Sequence, residues 1–85
     1  MLGECYICSR YTNLEEHHAF QGANRKICDR FPRMKFYLCP ECHRGTHGVH
    51  GRDGHKLNLK LKQEAQRNFE GTKEEFIKLF GRNYL

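Results

Sequence analysis

The sequence reads as a small α+β domain, clamped near its start and middle by two cysteine pairs and closed by C-terminal helices. Length, cysteine spacing and a change of hydrophobic period along the chain lead to this reading. Eighty-five residues make a single domain, 1–85, at a size where apolar burial alone supplies only a few kcal/mol and a metal or disulfides usually help. Cys5 and Cys8 form one C-x2-C pair, and Cys39 and Cys42 form another about thirty residues later. Two such pairs offer four soft thiolates, for which a closed tetrahedral Zn²⁺ site is the usual outcome. An iron–sulfur cluster or a redox pair is the alternative. A zinc with four sulfur ligands has no open position for water, so its role is structural. The odd count of five cysteines argues against full disulfide pairing, and Cys28 outside both pairs reads as a small, semi-buried hydrophobe.

The elements come in chain order. Residues 1–22 read as a hairpin knuckle around "CYICSRYTNLEEHHAF", turning at Thr12-Asn13, with Tyr6, Ile7, Tyr11 and Leu14 for packing. "GANRKICDRFPRM" is a basic surface loop with a short helical turn, and "KFYLC" is a strand leading into a helix that Pro40 starts. In "GHKLNLKLKQEAQRNFEG", Leu57, Leu59 and Leu61 alternate as on a strand, while Leu57, Leu61, Ala65 and Phe69 recur as on a helix face. Length without a breaker and richness in Lys, Gln, Glu, Leu and Ala decide for a helix closed by Gly71. Thr72 and Glu75 then form a capping box for a helix over about 72–81, with Phe76, Ile77, Phe80 and Tyr84 on its apolar face and Gly81 at its end.

The chain has no repeat, no low-complexity linker, no secretory pattern and no run approaching the roughly 18 apolar residues of a membrane span. An intracellular, cytoplasmic setting is therefore expected. Fifteen Lys and Arg against ten Asp and Glu give a formal charge of +5, the balance of a protein that meets polyanions. Six histidines remain after sulfur has satisfied the zinc, and five fall in two clusters: His17-His18, and His43, His47 and His50. On an ideal helix the latter three would share a face. Gly45, Gly48 and Gly51 break that helix, at about 1 kcal/mol each against Ala. The expected arrangement is a short helix from Pro40 that carries His43 and loosens into a turn presenting one or both later imidazoles. Because the cysteine pairs draw residues 8 and 39 together, the two clusters should converge on a second divalent ion open to water and phosphate.

"EEHH", "YLCPECH" and the flanking C-x2-C pairs together resemble the HNH, or ββα-metal, endonucleases. More closely, "HHAFQGANRKICDRF…YLCPECHRGTHGVHG" is similar to small phage-encoded proteins related to the RecA-dependent recombination-enhancement nuclease. The resemblance spans about residues 5–70, with the helix of about 72–81 beyond it. It implies that His18 is the general base, that His17 and His43 hold the catalytic ion, and that His50 is the later ligand, with His47 competing for that position. The family's middle asparagine is missing from "FPRMKFY", and Asn24 upstream is the candidate substitute.

The same resemblance implies a metal-dependent enzyme that nicks or cuts DNA in a bacterial host cell, with structural Zn²⁺ and catalytic Mg²⁺ or another divalent ion. A recombinase or other phage DNA-processing protein would be its partner. Arg25, Lys26, Arg30, Arg33, Lys35 and Arg44 would neutralise phosphates in a largely sequence-independent way. The rival expectation is a non-catalytic, zinc-stabilised nucleic-acid-binding module, favoured by the missing asparagine.

Overall fold

Three short strands occupy the first 18 residues and divide between two sheets. In a computed structural model, which describes residues 1–85 apart from the side chain of Pro32, strand β1 (Leu2–Glu4) pairs antiparallel with β2 (Tyr11–Asn13). Thr12 and Asn13, expected to turn, are instead strand residues opposite Gly3 and Leu2. The reversal falls between the cysteines, where Cys5 N–H donates to the Arg10 carbonyl and Ser9 N–H to the Cys5 carbonyl, both at 2.9 Å. Ser9 takes the left-handed conformation there, at φ 64°. Wrapping two sulfurs toward one point requires the tight bend between them, which leaves β-branched Thr12 free to extend.

Strand β3 (Glu15–His18) leaves the first hairpin and pairs antiparallel with β4 (Lys35–Leu38). "EEHH" therefore opens a second sheet and does not complete the first hairpin. Residues directly opposite share a face, so Glu15 and His17 lie with Leu38 and Phe36, while Glu16 and His18 lie with Tyr37 and Lys35. Between the strands run a 3-10 turn (Gly22–Asn24), helix α1 (Arg25–Cys28) and a second 3-10 turn (Pro32–Met34). Cys28 is fully buried.

Helix α2 (Pro40–Arg44) carries proline in its first turn and packs against both β3 and β4. Helix α3 (His55–Arg67) buries Leu61 and Ala65, leaves Leu57 half-buried and exposes Leu59, so the helical period prevails over the alternation. It ends at Arg67 with Asn68 N–H capping the Glu64 carbonyl at 3.0 Å, short of Gly71. Helix α4 (Lys73–Phe80) has the full capping box of Thr72 and Glu75 and ends at Gly81, whose φ of 89° suits a residue without Cβ. Phe76 and Phe80 stack around Phe20 at 5.7 and 4.5 Å between ring centroids, and Tyr84, just past the helix, adds a third ring at 5.1 Å. Phe20 lies two residues after His18, so α4 braces the end of β3. No helix among the described residues is long and apolar enough to cross a membrane.

Candidate functional site

The knuckle of residues 5–8 and the start of α2 bring Cys5, Cys8, Cys39 and Cys42 together, with all four sulfurs within 4.8 Å of one another. Cys8 and Cys39 Sγ are 3.8 Å apart, matching the roughly 3.8 Å edge of a tetrahedron with 2.3 Å zinc–sulfur bonds. Cys39 also caps α2, its Sγ accepting from Cys42 N–H at 3.4 Å. Burial opposes ionisation of Cys5, but backbone hydrogen bonds at Cys39, Cys8 and Ile7 outweigh it and bring the thiol down to about 6. Burial, then the neighbouring Cys39 and Cys8 sulfurs, push Cys42 up. Four thiols this close resist ionising together without a cation, so the cluster is compatible with zinc and would release protons on binding it. An exposed ion pair from Arg10 to Glu41 links the knuckle to α2.

A second cluster joins His17, His43 and His50, whose ligand nitrogens also lie within 4.8 Å of one another. Three different segments supply it: β3, α2 and the turn after α2. Val49 N–H donates to the Cys42 carbonyl at 2.8 Å and His50 N–H to the His43 carbonyl at 3.0 Å, laying the turn back along the helix. A Cβ at Gly51 would fall on the carbonyl oxygens of Gly45 and Thr46, so glycine is what allows the chain to cross itself there. His50 is inside this cluster; the His47 ring is exposed and faces Asp53 at 3.7 Å.

His17 is 1% exposed, and its Nε2 is buried with no hydrogen-bond partner among the described residues. Such an orphan costs about 1–3 kcal/mol unless something fills the role of partner. Burial, then the charges of His50 and His43, lower His17 to about 4. His43 Nδ1 lies 2.8 Å from Glu15 Oε1. Arg44, then His43, hold the Glu15 carboxyl at about 2. An ionised carboxylate only accepts, so His43 donates from Nδ1 and keeps its lone pair on Nε2, the arrangement of a metal-ligating histidine backed by a carboxylate. The trio fits a divalent ion. The role of Glu15 was not legible in the sequence, although it stands in the quoted doublet "EEHH".

His18 projects from the opposite face of β3, yet it borders the same cleft of about 230 Å³, lined by His17, His18, His43, His50, Glu16 and Arg25. Its Nε2 lies 2.8 Å from Asp29 Oδ1 and 3.5 Å from Glu16 Oε1. The His18 hydrogen bond keeps the Asp29 carboxyl below the usual range. Sequence reasoning passed over Asp29, although it is the sole acid between positions 17 and 40, in a stretch otherwise rich in Arg and Lys. Asn24 makes a contact away from the imidazoles: its amide donates to the Phe80 carbonyl at 3.4 Å, tying the 22–24 turn to the end of α4.

The six cations expected to neutralise phosphates have different surroundings. Arg25 lines the cleft. Lys35 stands 3.6 Å from Asp29 and 3.9 Å from Glu16, and Arg44 is spent in a two-pronged bond to Glu15 at 2.8 and 2.6 Å. Arg30 and Arg33 line a separate groove with Phe31 and Phe69. Lys26 is exposed and is not among the residues that line the cleft.

These features define a small α+β domain with two antiparallel two-stranded sheets and a four-cysteine cluster close enough to bind zinc. No family model, curated protein or solved structure matches the chain.

Proposed function

We propose that the chain is a metal-dependent endonuclease of the HNH type that hydrolyses DNA phosphodiester bonds, with zinc on the four cysteines as its structural clamp. The observation that carries this reading is the buried, unpartnered His17 Nε2 within a three-imidazole cluster that opens on a cleft. His17, His43 and His50 would hold a divalent ion, which would supply positive charge to the reacting phosphate and the departing 3′ oxygen. Three imidazoles suit zinc and neighbouring transition ions better than Mg²⁺.

The protein's own groups do the rest. His18 takes a proton from water as the oxygen bonds to phosphorus; the P–O3′ bond breaks, and the 3′ oxygen is reprotonated from solvent. Arg25 anchors a flanking phosphate, and the net charge of +5 draws in the polyanion. The β3–β4 sheet with α2 across it supports the ββα reading.

Purified, zinc-loaded protein should nick plasmid DNA with Mg²⁺, Mn²⁺ or another divalent ion, and His18→Ala should abolish nicking while keeping its zinc content and circular dichroism. Plasmid left intact by folded wild-type protein across these ions would replace this reading with the non-catalytic binding module.

A further inference from the structure

We propose that Asp29 is the positioning residue for His18, accepting the Nε2 proton so that Nδ1 presents its lone pair to the cleft; the inference rests on the nuclease reading above. The geometry is specific. His18 Nε2 and Asp29 Oδ1 are 2.8 Å apart, and the ring itself is largely sheltered, with 12% of its side chain exposed. A carboxylate accepts and never donates when ionised, so the proton on this edge of the ring belongs to Nε2. The other nitrogen is then the basic one. Left free, the imidazole would divide between tautomers and ring flips, and only part of the population would present a lone pair to water.

The backbone holds Asp29 in place. It caps α1, its N–H donating to the Arg25 carbonyl at 3.2 Å. The preceding residue, Cys28, is fully buried with its Sγ 3.8 Å from the Phe20 carbonyl. The unpaired cysteine thus seats the helix whose end carries the carboxylate.

Glu16, His18 and Asp29 also lie close enough to share an ion, but Lys35 Nζ stands 3.6 Å from Asp29 and 3.9 Å from Glu16. That ammonium already supplies the positive charge, and a metal ion there would meet it at close range. Glu16 is the weaker candidate for the positioning role, being 3.5 Å from Nε2 and also receiving the Tyr37 hydroxyl at 3.3 Å.

The test uses the zinc-loaded protein with ¹⁵N-labelled histidine. Wild type should show His18 as the Nε2–H tautomer, and Asp29→Ala should show a mixture at unchanged circular dichroism and zinc content. In plasmid nicking, Asp29→Ala should lower kcat about 10- to 100-fold with little change in KM, and Asp29→Glu should recover most of the loss. An unchanged tautomer and kcat in Asp29→Ala would overturn the proposal while nicking by wild type still stood. Wild type that never nicks but shows the tautomer locked by Asp29 would overturn the nuclease reading and support the pairing.

Discussion

The four thiols and the three imidazoles each bring their donor atoms within 4.8 Å of one another, yet the two clusters are assembled by different means. The thiols come as two C-x2-C pairs, each gathered by one local bend, and they need only a single long-range meeting. The imidazoles come singly from β3, α2 and the turn at residue 50, and they need a strand register, a helix docking and a crossing of backbone on backbone. The first cluster is closed and soft, suited to holding the fold; the second borders a cleft and keeps a buried nitrogen without a partner. They share α2, where Cys42 and His43 are neighbours. The thiol clamp should therefore be a precondition of the imidazole site, and the reverse should not hold.

That asymmetry is open to direct attack. Structural zinc sites contribute on the order of 10 kcal/mol, more than a core this small supplies, so Cys39→Ser should lose the native circular dichroism and with it any affinity at the histidines. A variant with unchanged spectrum and thermal midpoint would remove the clamp from the account. His17→Ala should do the opposite, keeping zinc and fold while abolishing binding of a second ion, read by Co²⁺ absorption after the cysteine site is filled. Glu15→Gln should weaken that second ion about 10- to 100-fold, because the His43 tautomer loses its anchor; equal affinity would show that Glu15 only pairs with Arg44.

A subtler expectation concerns acid. The folded-state value of His17, about 4, lies below its ordinary 6.5, so the unfolded chain binds the extra proton between them. The stability contributed by neutral, buried His17 is complete above about pH 6.5 and is lost as pH falls toward 4. Denaturant midpoints of zinc-loaded wild type should fall more steeply across that window than those of His17→Gln; parallel curves would place the acid sensitivity in the thiols alone. Smallest of all, Arg25→Ala should reduce the salt dependence of DNA binding by about one phosphate contact with both ion sites intact.

Much of the scaffold was legible because its signals are local. The C-x2-C spacing, Pro40 ahead of α2, the Leu57, Leu61 and Ala65 face of α3, and the Thr72–Glu75 box each act within a turn or two of chain. The Thr12-Asn13 turn misled because turn propensity is weak beside the bend that two cysteines impose. For a related reason the pairing of Arg44 was out of reach: charge can be counted from composition, but Arg44 belongs to Glu15 only once β3 lies beside α2.

By itself, then, the sequence determined which residues offer metal-ligating side chains and about where its two longer helices run, since these depend on spacing along the chain. Tertiary structure alone decided that His50 and not His47 joins His17, that Glu15 and Asp29 stand behind two of the imidazoles, and that Asn24 does not. The turn laid back along α2 places His50, and the register of β3 on β4 places the doublet, with His17 opposite Phe36 and His18 opposite Lys35. Side chains alternate faces along a strand, so a slip of one residue would exchange the buried imidazole for its neighbour, and the packing of Phe36 and Leu38 into the core opposes it.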